Sequence, residues 1–184
     1  RVLAGLFDRI DREVGLAKCV VVLTADHGVE PTPERVQALR PSIPAGRVKS
    51  ADFDATAKKA LDAAFGPLSD KEQWFTRDTY AYFLRPAALA AKKIGASEAA
   101  KVLKAGLLTV PSMAAAFTRD EILAAEPEGD SLLAMERRSY NASRGRDVMF
   151  VLQPYFMTKA GTGSPHGMPY DYETHVPMLG WGMG

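Results

Sequence analysis

Thr24-Ala25-Asp26-His27-Gly28 stands directly behind the apolar run Cys19-Val20-Val21-Val22-Leu23. A carboxylate beside an imidazole is a donor pair suited to a divalent cation. Neighbouring side chains of a regular strand point to opposite faces, so Asp26 and His27 can share one ion only where the strand has given way to a turn. Gly28 supplies a permissive backbone for that turn. Taken alone, the three residues are explained equally well by Asp26 capping a helix beside a surface His27.

A second segment adds weight to the chemical reading. Gly161-Thr162-Gly163-Ser164-Pro165-His166-Gly167 is followed by Tyr170-Asp171-Tyr172 and then by Thr174-His175-Val176-Pro177-Met178-Leu179. The chain has 3 histidines, and all of them fall in these two segments. Histidine is the commonest metal ligand, and such a partition is not expected of scattered surface residues.

The elements that must carry these residues can be read from patterning. Four aliphatics after Cys19 predict a strand buried on both faces, as in a parallel sheet covered by helices. Ligands of such sheets bind beyond the carboxyl ends of the strands, where Asp26 and His27 would lie. Val2, Leu3, Leu6, Phe7, Ile10 and Val14 recur at helical spacing against a charged opposite face, so the chain opens inside a helix. Pro31, Pro33, Pro41 and Pro44 predict irregular structure after the histidine turn. Ser50 should cap a helix over about 51–65, with Ala57, Ala60, Leu61, Ala64 and Phe65 inward and Gly66 as its stop. A strand over 79–84, helices over about 86–94 and 97–108 (Ser97 as cap), and a returning strand over 113–117 form an α/β insert. A helix over about 130–141 then leads into the strand Asp147-Val148-Met149-Phe150-Val151-Leu152, expected to share a buried, mostly parallel sheet with 19–25.

Composition narrows the class further. With 23 basic and 22 acidic residues, a net charge of +1 and 47% hydrophobic residues, the chain matches ordinary globular proteins. The basic residues are scattered, which argues against a nucleic-acid partner. Lys58-Lys59, Lys92-Lys93 and Arg137-Arg138 read as solvated helix faces, and Trp74, Phe75, Tyr80 and Tyr82 as core of the insert rather than a substrate groove. No run approaches the roughly 18 apolar residues of a membrane span. Cys19 is the only cysteine, so no disulfide can form within the chain.

The two histidine segments resemble the alkaline phosphatase superfamily, and within it the branch of phosphate-irrepressible alkaline phosphatases and nucleotide pyrophosphatase/phosphodiesterases. That branch has a strand ending in Thr-Ala-Asp-His-Gly and, far downstream, a His-Gly followed by Tyr-Asp-x-x-His-Val-Pro. Here these are Thr24 to Gly28, then His166-Gly167, Tyr170-Asp171 and His175-Val176-Pro177. Ile43-Pro44-Ala45-Gly46-Arg47-Val48 and Arg144-Gly145-Arg146-Asp147-Val148-Met149 add to the likeness, which is thin between about 50 and 135.

The resemblance implies an α/β fold, part of a mostly parallel sheet flanked by helices. Residues 1–30 and 130–184 would be pieces of a metallohydrolase core, and 31–129 an irregular segment with the insert. It implies two divalent metals, most often zinc, about 4 Å apart. Asp26 and His27 would bind one ion and His166 the other, with His175 and Asp171 as outer supports of the site and Glu173 as a further acceptor near His166, although Asp171 and Glu173 fit a solvent loop equally well. Arg144 and Arg146 read as the charged rim of a turn rather than phosphate contacts. The implied activity is hydrolysis of small-molecule phosphate esters, as a phosphomonoesterase acting through a phospho-enzyme. A phosphodiesterase or nucleotide pyrophosphatase on the same site is the alternative, and a noncatalytic module retaining the fold is the alternative of another class. The sulfatase branch is less similar in the final motif. The family's nucleophile, its first metal-binding Asp and its Asp-x-x-x-His pair belong ahead of the first helix, where this chain has no residues. The expectation is therefore the C-terminal part of a larger enzyme, inactive without its N-terminal half. Family resemblance also implies a periplasmic or secreted protein.

Overall fold

The structure, a computed structural model, describes residues 1–158 and 160–182. It is a mixed α/β arrangement whose best-packed part lies in the middle of the sequence. Helix α1 (Val2–Glu13) leads through a 3-10 turn (Leu16–Lys18) into β1 (Val21–Thr24). The proline-rich stretch holds a short helix, α2 (Pro33–Leu39), with Pro33 in its first turn, where a missing N–H costs nothing. Strand β2 (Gly46–Arg47) precedes α3 (Ser50–Phe65).

Helix α3 buries Phe53, Ala57 and Leu61, spaced by four, against α5 (Ala96–Leu107), which presents Ala99, Ala100, Leu103 and Leu107. Gly106 of α5 lies where a Cβ would stand 2.6 Å from that of Ala60, so the glycine permits the close crossing. Neither expected serine cap forms: Ser50 is the first residue of α3 and Ser97 lies within α5, and neither helix has a side-chain cap. Real caps occur further on. Helix α6 (Arg119–Ala124) opens with a capping box between Thr118 and Glu121, and α7 (Leu132–Ser139) is capped by Ser131. The remaining helix of the middle region is α4 (Pro86–Lys92).

These helices rest on an antiparallel sheet in the order β3 (Phe75–Asp78), β4 (Ala81–Leu84), β6 (Val148–Leu152), β5 (Met113–Thr118). Tyr82 sits opposite Val148 and Phe117 opposite Met149, with a bulge between Met113 and Ala115. Phe150 is the hub: the rings of Phe53, Tyr80 and Tyr82 all lie within 6 Å of its own. Trp74, Tyr80 and Tyr82 are buried in this core, as their composition suggested, and Lys58 pairs with Asp62 on the helix face.

The expected sheet differs from the observed one. The strand at 148–152 does not join that at 21–24; it pairs antiparallel with β4 and β5. A central antiparallel strand covered on both faces is as continuously apolar as a parallel one, so hydrophobicity cannot report strand direction. Strand β1 pairs antiparallel with β8 (Met178–Trp181) and is mostly exposed, with Cys19 outside it. Among the described residues, parallel pairing is confined to β2 with β7 (Phe156–Met157). A last short helix, α8 (Asp171–Thr174), precedes β8. Among the described residues no helix is long and apolar enough to cross a membrane.

Candidate functional site

Strand β1 ends at Thr24, and the chain turns through Asp26, His27 and Gly28 beside α8. Gly28 donates its N–H to the carbonyl of Glu173 at 2.6 Å. A Cβ on Gly28 would stand 2.2 Å from the carbonyl oxygen of Tyr172. Glycine is needed here because two backbones approach closely, not because the turn requires a left-handed residue.

This docking sets the two histidine segments against each other. The rings of His27 and His166 stack, 3.9 Å apart and 14° from parallel. Nδ1 of His27 lies 2.7 Å from the carbonyl oxygen of Gly28. A carbonyl can only accept, so Nδ1 is the donor, and in the neutral ring Nε2 is the nitrogen that carries the lone pair. Nε2 faces Asp26 Oδ2 at 3.6 Å, and Asp26 is exposed. Two donors of one tetrahedral zinc, each about 2.0–2.1 Å from it, stand roughly 3.4 Å apart. Carboxylate and imidazole thus stand at a separation that one shared ion would span, and the ring of His166 lies stacked on that of His27. Among the described residues no group of three or more His, Cys, Asp or Glu side chains is placed to hold a metal ion. Asp171 and His175, at either end of α8, are exposed, and among the described residues neither side chain has a hydrogen-bond or ion-pair partner.

Beneath the histidines lies a buried polar layer that residue patterning did not bring forward. Glu30 is 1% exposed and Glu173 4%. The hydroxyl of Tyr172 donates to Glu30 Oε1 at 3.2 Å, while Glu30 Oε2 and Glu173 Oε1 have no hydrogen-bond partner among the described residues. Burial, reinforced by the charge of Glu173 and opposed by the Tyr172 hydrogen bond, pushes the Glu30 carboxyl up to about 7. Burial and the nearby Glu30 likewise push the Tyr170 phenol up to about 12. Glu173 was expected near the imidazole of His166. Its carboxylate instead accepts the backbone N–H groups of Gly167 and, at 2.9 Å, Met168. Nothing in the spacing of Glu30 marks it as buried; only its place three residues after His27 draws attention to it.

Further bonds fix the loop that carries His166. Ser164 donates its hydroxyl to the carbonyl of Glu30. Arg47 grips Glu34 of α2 with two hydrogen bonds of 2.7 and 3.0 Å and also donates to the carbonyl of Gly163. Arg146 belongs to another neighbourhood, paired with Asp78 and lying over the Phe83 ring. A groove of about 600 Å³ between α3 and β3 also lies apart from the histidines, and both of its cations are paired, Arg77 with Asp54 and Lys58 with Asp62.

No family model matches the chain. Among curated proteins it is 31% identical to alkaline phosphatase PhoK of a Sphingomonas species, over 99% of this chain and 33% of that enzyme. It is 28% identical to alkaline phosphatase PafA of Elizabethkingia meningoseptica, over 100% of this chain and 33% of that protein. Alkaline phosphatase PhoD of Zymomonas mobilis is 29% identical over 96% of this chain and 32% of its own length. The chain therefore spans about a third of the length of the curated relatives it matches. The crystal structure of wild-type alkaline phosphatase PafA superimposes with a TM-score of 0.78 over 97% of this chain and 33% of that one, at 22% identity.

Proposed function

We propose, from the likeness to alkaline phosphatases over about a third of their length, that the chain serves as one part of a longer, metal-dependent phosphate-ester hydrolase, most simply a phosphomonoesterase. The observation that carries this reading is the stacked pair His27 and His166 with Asp26 alongside, drawn together from opposite ends of the chain. In this reading Asp26 and His27 hold one divalent ion, zinc by the chemistry of the donors, and His166 contributes to a second. A cation pair supplies positive charge against the oxygens of a phosphoryl group in transfer, where charge develops in the transition state.

The chain's own residues do the positioning. Gly28 lets the first histidine turn reach α8, the Nδ1 hydrogen bond of His27 fixes its tautomer, and Arg47 and Ser164 hold the second turn. The hydroxyl that attacks phosphorus, in a phospho-enzyme mechanism, would come from elsewhere in the longer protein. Its coverage of a third of each relative supports that view, as does a bare apolar face on α1, β1 and β8. By the same family likeness the protein would be periplasmic or secreted.

The full-length protein, tested with zinc at alkaline pH on p-nitrophenyl phosphate and on the matching diester, should turn over the monoester faster. A faster diester would favour the phosphodiesterase alternative. Absence of both activities, with no bound metal, would leave a noncatalytic module.

A further inference from the structure

We infer that Glu173 is a positioning residue that couples the two histidine turns, setting the separation of His27 and His166. The inference rests on the metal reading of those histidines and adds a residue to it.

Both turns have the same local sequence, His27-Gly28 and His166-Gly167. In each, the N–H that follows the histidine ends on Glu173. The Gly28 N–H donates to its backbone carbonyl at 2.6 Å, and the Gly167 N–H to its carboxylate. Met168 adds a second N–H to the same carboxylate oxygen at 2.9 Å. One buried residue thus grips the first turn with its main chain and the second with its side chain. The imidazoles, each one residue before a gripped amide, meet at 3.9 Å.

Both glycines are shaped for this arrangement. A Cβ on Gly28 would collide with the carbonyl of Tyr172, the residue before Glu173. Gly167 has φ of 119°, a conformation that other residues rarely adopt, and a Cβ there would press on Tyr80 at 3.3 Å. A carboxylate accepting two amide hydrogens holds its loop more firmly than a neutral acceptor, because charge-assisted hydrogen bonds are roughly twice as strong. Helix α8 anchors the clasp: Glu173 donates its own N–H to Tyr170 at 2.8 Å, and the Tyr170 hydroxyl bonds the Leu152 carbonyl at the end of β6. The histidine pair is thereby tied to the packed sheet.

The test uses the protein at its natural full length and measures zinc affinity by competition with a chelator, beside the thermal midpoint of the metal-free protein. Glu173→Asp keeps the charge and draws it back by one methylene; Glu173→Gln keeps the reach and loses the charge. Outer contacts of this kind typically change metal affinity about 10–100-fold. The expected result is a loss of that size in Glu173→Asp, a smaller loss in Glu173→Gln, and metal-free midpoints close to that of the unmodified protein. Zinc affinity unchanged in both variants, while His27→Ala and His166→Ala abolish it, would overturn the inference and leave the metal reading standing. Losses that simply track the thermal midpoint would also overturn it, since Glu173 would then act through stability alone. Zinc affinity unchanged in His27→Ala and His166→Ala would instead remove the metal reading, and this inference with it.

Discussion

Two parts of the molecule carry apolar residues that meet opposite fates. Around Phe150, the aliphatic and aromatic residues of α3, α5, β4 and β6 close over one another, and Leu61, Leu103, Leu107 and Val151 are sealed from solvent. In α1, β1 and β8, by contrast, Leu3, Leu6, Val22, Leu23, Leu179 and Trp181 are exposed, and α1 buries no residue at all. The first region is a finished core. The second has the patterning of a core without a cover, and it is the one whose strand delivers Asp26 and His27. An apolar stripe reports that burial is favourable; it does not say which surface provides it.

The largest effects should separate the regions by kind. Phe150→Ala removes the hub of the finished core and should cost about 3–5 kcal/mol of stability, read as a drop in the urea midpoint. His27→Ala and His166→Ala should leave that midpoint nearly unchanged, because both rings are at least partly exposed. In the full-length protein each should lower zinc-dependent monoester hydrolysis by at least about 10²–10³-fold, comparable with losing one preorganised contact to a transition state. If Phe150→Ala were silent in urea, or the histidine variants unfolded the chain, the division between core and site would be wrong.

Legibility followed the same division. The helices over 50–65 and 96–107 were readable because their buried faces follow the helical period, and the buried aromatics because strands rich in Thr, Tyr and Phe pack well on a sheet. Strand direction was not readable, since β6 is apolar on both faces whichever way its neighbours run. Asp26, His27 and His166 stood out by residue type. The clasp through Glu173 did not, because a carboxylate bonded to backbone amides leaves no side-chain pattern in the sequence. The role of Gly28 was half legible: its presence marked a turn, but the reason for it, the approach of the Tyr172 carbonyl, is tertiary.

An intermediate effect concerns acid groups on the two sides. Glu30 beside the histidines and Glu136 on α7 are both pushed up to about 7, in each case chiefly by burial. Tyr172 and Glu173 face Glu30, and Arg146 opposes the shift of Glu136. Each group binds its proton more tightly folded than unfolded. Its contribution is therefore fully present below the ordinary value of 4.5 and is lost as pH rises to about 7. At ~1.4 kcal/mol per unit the loss for buried Glu30 reaches a few kcal/mol at most. Thermal midpoints from pH 4.5 to 8 should thus decline, and Glu30→Gln and Glu136→Gln should each remove part of the slope. A slope untouched by Glu30→Gln would mean that its carboxyl is paired or hydrated in the folded protein.

The smallest effect tests the comparison most directly. The chain has 2 tryptophans, one in each region. Trp74 is 2% exposed and donates its indole N–H to Asp62, whereas Trp181 at the end of β8 is 55% exposed. Trp74→Phe leaves Trp181 as the sole reporter of the bare face while keeping an aromatic ring in the core. In the 184-residue chain, Trp181 emission should be red-shifted and readily quenched by iodide, as for an indole in water. In the full-length protein it should move to the blue and resist quenching, because the proposed remainder of the enzyme would lie over α1, β1 and β8. Leu179→Ser on the same strand supplies the energetic counterpart: within about 0.5 kcal/mol of neutral in the 184-residue chain, and about 1–3 kcal/mol destabilising where the leucine is covered. Equal emission in both lengths, with Leu179→Ser neutral in both, would show that this face is not where the rest of the protein packs. The contrast would then describe a surface open to some other contact.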